Sequence, residues 1–287
     1  MAKCNVCFRH CEIKEGGKGF CGARICEEGA IHPENYGRIT ALALDPIEKK
    51  PLKRFYPGSR ILSVGSYGCN LRCPFCQNHE ISWSPEAFSC ADRTETVSPE
   101  ELARTAVRMK NRGSIGLAFT YNEPLIGWEF VRDTGRLIHR EGLKNVLVTN
   151  GTAELSVLEA LGPYIDAMNI DLKGFTGSYY SKVLGGSLDM VKAFIARAAQ
   201  ICHVELTTLI VPGENDSEGE MRALTDWVSG LTDADGNVIG PEIPLHISRF
   251  FPRFHMTDRP ATDVRVIFRL VDTAREKLRY VYTGNCY

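Results

Sequence analysis

Gly68-Cys69-Asn70-Leu71-Arg72-Cys73-Pro74-Phe75-Cys76 places three thiols within eight residues. Thiolates at this density act as disulfide partners, zinc ligands or iron–sulfur ligands. A structural zinc site takes four nitrogen or sulfur ligands, and His79 is the nearby candidate to complete one. Three cysteines on one short loop can instead hold three irons of a 4Fe–4S cluster and leave the fourth iron open to a ligand. That open corner is where chemistry can occur.

The surrounding chain narrows the choice. Its 287 residues, 44% hydrophobic and 24% charged, suffice for one large domain or one domain with an appendage. A formal net charge of −1 gives no global electrostatic reason to bind nucleic acid or an anionic membrane. The start, Met1-Ala2-Lys3-Cys4-Asn5-Val6-Cys7, lacks the apolar stretch of a signal peptide, and no apolar run is long enough to span a bilayer. Eleven cysteines without an export signal lead us to expect a reducing cytoplasm, which makes disulfides the weakest reading.

From about residue 60 onward, short apolar runs alternate with amphipathic stretches. Ile61–Ser66 reads as a buried strand ending directly at the cysteine loop. Ser98 with Glu101 is a capping box opening a helix. Strands are expected at 115–120, 145–149, 165–172, 204–211, 244–247 and 280–282, with helices between them. Such alternation implies an α/β fold with a parallel sheet, and right-handed crossovers of this number curl it into a partial (β/α) barrel. The expected division is a cysteine-rich segment over 1–58 and a barrel over 59–287, with Ser84–Thr96 a loop over the cysteines.

In such a barrel the strands' C-terminal ends carry the site. Read in order they give Thr120-Tyr121-Asn122-Glu123-Pro124, Thr149-Asn150-Gly151, Asn169-Ile170-Asp171-Leu172-Lys173, Val211-Pro212-Gly213-Glu214-Asn215-Asp216 and His246-Ile247-Ser248-Arg249. The cysteine spacing, with Phe75 before the last cysteine, resembles the cluster loop of radical S-adenosylmethionine (SAM) enzymes. Tyr121-Asn122-Glu123-Pro124 resembles a variant of that family's Gly-Gly-Glu-Pro motif, and Asp171-Leu172-Lys173 is similar to a tripeptide of pyruvate formate-lyase-activating enzymes. The resemblance implies that Cys69, Cys73 and Cys76 ligate a 4Fe–4S cluster and that Phe75 meets adenine. It implies that Asn122 and Glu123 hold the methionyl amine, that Asn150 and Asp171 face ribose or substrate, and that Lys173 and His246 neutralise the SAM carboxylate. It further implies a flavodoxin- or ferredoxin-like electron donor and a reaction in which SAM is cleaved to a 5′-deoxyadenosyl radical.

The first sixty residues are of another kind. Cys4, Cys7, Cys11, Cys21 and Cys26 sit in a polar stretch with few large apolar residues, a composition that metal commonly staples. Cys4, Cys7, Cys11 and Cys21 suit a tetrahedral zinc site or a second iron–sulfur cluster, with His10 or Cys26 as substitute ligands. Free packed thiols are the bland alternative. Cys90, Cys202 and Cys286 are isolated in sequence, and core packing is expected of them. Lys53, Arg54, Arg249 and Arg253 are positive groups suited to an acidic tail or an anionic small molecule.

Asp45-Pro46-Ile47-Glu48-Lys49-Lys50-Pro51-Leu52, Phe55-Tyr56-Pro57-Gly58, Ser248-Arg249-Phe250-Phe251-Pro252 and Val281-Tyr282-Thr283-Gly284-Asn285 resemble the radical SAM member of the AmmeMemoRadiSam system along the whole chain. Arg54 and His79 depart from that pattern, standing where His and Trp are expected. This resemblance implies Memo-type or AMMECR-type protein partners. Activation of a glycyl radical enzyme is the competing enzymatic reading, and a zinc-binding adaptor the competing non-enzymatic one.

Overall fold

The computed structural model describes residues 1–286. Eight strands form the main sheet: β1 (Ala41–Pro46), β2 (Arg60–Gly65), β3 (Ser114–Phe119), β4 (Lys144–Thr149), β5 (Ala167–Asp171), β6 (His203–Ile210), β7 (Leu245–Arg249) and β8 (Val281–Gly284). They lie in sequence order, β2 through β8 parallel and β1 antiparallel to β2. Helices α1 (Pro99–Arg108), α2 (Trp128–Arg140), α3 (Leu155–Leu161), α4 (Leu188–Ala198), α5 (Glu218–Ser229) and α6 (Val264–Arg275) return the chain between parallel strands. The expected capping box opens α1: Ser98 Oγ accepts from Glu101 N at 3.2 Å, and the Glu101 carboxylate accepts from Ser98 N at 2.8 Å.

Strand periodicity sorts the side chains to two faces. Leu62, Val64, Leu117, Phe119, Leu147 and Ile170 share one core with Leu102, Ile138, Leu158 and Phe194 of the helices. Their alternates Ile61, Ala118, Val146 and Ala167 pack on Ile47 and Leu52, from the connection between β1 and β2. All crossovers therefore cover one face, and the other folds around a plug supplied by residues 47–55.

The plug shows how far the sheet curls. Lys53 N and Arg54 N, between the first two strands, donate to the Glu205 carboxylate of β6 at 3.0 and 2.7 Å. Arg54 also lies over the Tyr280 ring and Lys53 over that of Tyr282 in β8. In a flat sheet β2 and β8 would stand roughly 29 Å apart. Only a strongly curled sheet brings them to one loop, and because β1 and β8 do not pair, the barrel is open.

β1 lies inside the 1–58 segment that the sequence assigns to the appendage. Its alternation is weak because it is an edge strand, with Leu42 about half exposed. Ahead of it, two small hairpins pair Ala2–Lys3 with Glu12–Ile13 and Arg24–Glu27 with Ala30–Pro33. The expected loop at 84–96 contains two single helical turns, Pro85–Phe88 and Cys90–Arg93. Among the described residues, no helix is long and apolar enough to cross a membrane.

Glu205 is fully buried and takes hydrogen bonds from both plug amides, with His203 Nε2 at 3.0 Å and His246 Nε2 at 2.7 Å. Burial opposes its ionisation, but the two histidines and the Arg54 and Lys53 amides more than offset it and hold its pKa at about 2. The pKa lies below the ordinary 4.5, so the stabilisation is complete above pH 4.5 and is lost as pH falls towards 2. Glu205→Gln is expected to cost about 3 kcal/mol in urea unfolding at pH 7 and to flatten the acid limb of the stability profile.

Candidate active site

The cysteine loop leaves β2 at Gly65 and is sewn to the end of β3. Gly68 adopts φ +92°, and a Cβ there would meet Cys21 O and the Ala23 methyl at 2.8 Å, so only glycine fits. Its carbonyl accepts from Glu123 N and Asn122 Nδ2, both at 3.3 Å. Asn122 Nδ2 also donates to Tyr67 O, and its Oδ1 accepts from Ser66 N. From the far side of the loop, Asn78 Nδ2 donates to Tyr121 O at 2.7 Å.

Glu123 joins that turn to β4. Its carboxylate accepts from Thr149 Oγ1 at 2.6 Å, Asn150 N at 2.7 Å and Leu125 N at 3.0 Å. Burial pushes its pKa up to about 7 despite those donors. Asn150 Nδ2 donates to Asn70 Oδ1 at 2.9 Å and lies 3.7 Å from Cys69 Sγ, which puts the β4 end against the first cysteine. Asp171 and Lys173 close the ring of strand ends: Lys173 Nζ meets Asp171 Oδ2 at 2.7 Å. Burial works against the Lys173 charge, but Asp171 and Cys73 more than offset it and hold its pKa well above the usual lysine value.

Phe75 packs edge-on against Phe250, with ring centroids 6.2 Å apart. The segment after β7 closes over the loop through His255 N to Pro74 O at 2.9 Å. His79 stacks flat on Phe254 at 4.0 Å, so it serves this closure through its ring face.

Six of the sequence-predicted residues thus gather around Cys69, Cys73 and Cys76: Phe75, Asn122, Glu123, Asn150, Asp171 and Lys173. His246 is not brought to them. It is the second residue of β7, and its Nε2 is engaged by Glu205 in the layer of the plug. The four cations separate too: Lys53 and Arg54 belong to the plug, whereas Arg249, at the far end of β7, donates Nε to Thr262 O, and Arg253 lies in the segment after β7, its N donating to Met256 O. Sequence reasoning missed Asn70 and Thr149, which supply the buried links to Asn150 and Glu123. Both stood inside quoted motifs, and their small polar side chains in otherwise apolar surroundings were the available signal.

Of the N-terminal thiols, Cys7 lies within the electrostatic reach of Cys4 and Cys11, and Cys21 within that of Cys7 and Cys4. Cys4 N donates to Cys11 O at 2.9 Å. This knuckle abuts the first loop: Cys69 N donates to Cys21 O at 3.2 Å, and Arg9 Nε to Asn70 O at 2.7 Å. Cys26 Sγ turns to Glu15 at 3.8 Å, and His10 pairs with Glu154 at 3.2 Å. Cys286 Sγ lies 3.3 Å from Gly284 O.

The donor set constrains the metal. Burial pushes the thiols of Cys69, Cys73 and Cys76 up, Cys73 to about 11, so a cationic centre is needed to hold them as thiolates. Among the described residues no three His, Cys, Asp or Glu side chains converge on a single-ion site. Three thiols on one pinned loop instead fit a centre of several irons.

Comparison with known proteins agrees. Residues 63–224 match the pattern of the Radical SAM superfamily. An uncharacterized protein of Methanocaldococcus jannaschii is 39% identical over 286 residues, covering 99% of this chain and 81% of its own length. The pyruvate formate-lyase-activating enzyme of Clostridium pasteurianum is 26% identical over 198 residues, 68% of this chain and 79% of that enzyme. Among solved structures, Streptococcus suis SuiB bound to S-adenosylmethionine superposes with a TM-score of 0.58 at 14% identity, over 77% of this chain and 49% of SuiB. That last likeness shows the fold.

Asn122→Ala removes the hydrogen bonds that pin Ser66, Tyr67 and Gly68. We expect the far-UV circular dichroism to stay native while the iron held after anaerobic reconstitution falls at least twofold. Undiminished iron would show that the loop holds its shape without the clamp.

Proposed function

Because this chain belongs to the radical SAM superfamily, whose members are enzymes of radical reactions, we propose that it binds a 4Fe–4S cluster through Cys69, Cys73 and Cys76 and cleaves SAM reductively to act on its substrate. The observation that carries this reading is the three-cysteine loop pinned to the ends of β3 and β4, with the Asp171–Lys173 pair at the end of β5. When bound, the cluster supplies one electron for cleaving SAM to methionine and a 5′-deoxyadenosyl radical, which takes hydrogen from the substrate.

The residues around it have separable tasks. Lys173, kept charged by Asp171, offers a cation for the SAM carboxylate. Phe75, backed by Phe250, offers an apolar ring for adenine. Asn122 and Glu123 act mainly by fixing the strand ends, which leaves the turn's backbone to face the methionyl amine. Asn150 and Asp171 are the polar groups placed for ribose or substrate. The segment from Phe250 to Met256 shields the loop from water and oxygen.

The AmmeMemoRadiSam assignment is our finer reading, supported by the sequence segments quoted above, and it makes Memo-type and AMMECR-type proteins the partners to try first. Similarity to a pyruvate formate-lyase-activating enzyme favours glycyl radical formation as the second reading. In either case a flavodoxin or ferredoxin is the expected reductant. We further propose that Cys4, Cys7, Cys11 and Cys21, which do not converge on one ion among the described residues, are drawn together by a metal of their own, as zinc or a second iron–sulfur cluster.

With dithionite and SAM, reconstituted protein should form 5′-deoxyadenosine, and replacing Cys69, Cys73 and Cys76 together with alanine should abolish it along with one 4Fe–4S spectrum. Wild-type turnover in that variant would overturn the assignment. Metal analysis of the same variant tests the N-terminal thiols: one zinc or residual iron and sulfide is expected, and a metal-free chain would return them to packed cysteines.

A further inference from the structure

Two part-buried guanidiniums meet at the cysteine loop without a carboxylate of their own. Arg72, inside the loop, turns back over it: Nη1 donates to Cys69 O at 2.9 Å and to Leu71 O at 2.8 Å, and Nη2 donates to Phe20 O. Arg9 approaches from the turn of the first N-terminal hairpin, donating Nε to Asn70 O at 2.7 Å and Nη2 to Gly185 O at 2.6 Å. Both pack on one ring, with Arg9 Cζ 3.3 Å and Arg72 Cζ 3.7 Å from the centre of Phe20.

Every recorded hydrogen bond of the two side chains goes to a main-chain carbonyl, which satisfies donors but neutralises no charge. Among the described residues neither guanidinium lies within 4.0 Å of a carboxylate, whereas Arg24 of the same N-terminal segment holds Glu129 at 2.7 Å. Burial weighs against both charges and lowers both pKa values, and Arg9 weighs further against Arg72. The charges that favour them belong to sulfur: Cys69 and Cys21 for both, with Cys7 and Cys11 also for Arg9 and Cys73 also for Arg72. The face of one phenyl ring, shared by two cations, offsets only part of their desolvation. The balance is complete when the sulfurs are thiolates, the state that a metal centre imposes.

A 4Fe–4S cluster held by three thiolates carries one net negative charge when oxidised and two when reduced. Uptake of one electron therefore adds a charge beside the two guanidiniums, and net charge is one of the handles a protein has on such a potential. We propose that Arg9 and Arg72 are positioning residues that set the reduction potential of the cluster, as the fixed counter-charge for the electron that a one-electron donor delivers. No proton accompanies that electron, because a guanidinium keeps its charge throughout. Arg9 belongs to the N-terminal hairpin, so that hairpin takes part in the electron step irrespective of what its own thiols hold. The proposal rests on the radical SAM reading, and its test reads a potential rather than turnover.

Anaerobically reconstituted full-chain protein without SAM is titrated with dithionite at controlled potentials, and the reduced cluster is followed by electron paramagnetic resonance. At a fixed potential, Arg9→Gln together with Arg72→Gln should lower the reduced-to-oxidised ratio at least tenfold, a midpoint about 59 mV more negative for a one-electron couple. Arg9→Lys with Arg72→Lys keeps both charges but loses the guanidinium fork, and its ratio should stay within about threefold of wild type. A glutamine pair at the wild-type midpoint overturns the proposal. So does a lysine pair displaced as far as the glutamine pair, since hydrogen bonding rather than charge would then be at work. If chains with Arg72 replaced hold no cluster, Arg9→Gln against Arg9→Lys decides: a severalfold drop is expected of glutamine alone, and equal midpoints count against the charge role. Failure of the radical SAM reading would instead appear as a wild-type protein that holds no cluster.

Discussion

The cysteine loop has no regular secondary structure of its own, so its shape is borrowed from hydrogen bonds with neighbouring strand ends. Asn122 and Glu123 supply most of them, and both work inside a desolvated layer where an unmade bond would cost about 1–3 kcal/mol. Glu123 shows the trade involved. Burial alone would protonate it, and the donors at Thr149, Asn150 and Leu125 make its presence there tolerable. The parallel sheet brings these strand ends to one side, and the side-chain clamps turn that coincidence into a defined site.

At the opposite end another buried carboxylate does comparable work with the opposite electrostatic outcome. Glu205 is held ionised by two histidines and two plug amides, whereas burial dominates at Glu123. Glu123 is the more deeply desolvated and has Asp171 raising its pKa further, whereas four donors converge on Glu205 against three on Glu123. Tyr121 connects the two layers, its hydroxyl donating to Asp45, which in turn meets Lys50 of the plug.

Much of this was legible in the chain itself. Apolar runs at 115–120, 145–149 and 204–211 mark strands because a parallel strand covered by helices is continuously apolar on one face, and the cysteine loop points to its chemistry through its resemblance to a known cluster loop. The plug and β1 were hidden for a physical reason: a short edge strand followed by a proline-broken turn has no period to detect, and its role depends on contacts with β6 and β8, more than 140 residues away. His246 misled because its place at a strand's start, rather than its end, is a matter of register. Glu205 went unnoticed because one carboxylate in an apolar strand gives no hint of which loop will reach it.

The docking of the N-terminal hairpins on the barrel has a consequence for the order in which the protein is made. Arg9 donates to Gly185 O, 176 residues further along the chain, and Val6 O accepts from Glu154 N. A ribosome adding 5–20 residues per second needs roughly 10–35 s to span that interval. The first thiols to emerge therefore wait, solvated and unshielded, for a surface that does not yet exist. The hairpins therefore complete their packing only once the chain has been made as far as Gly185.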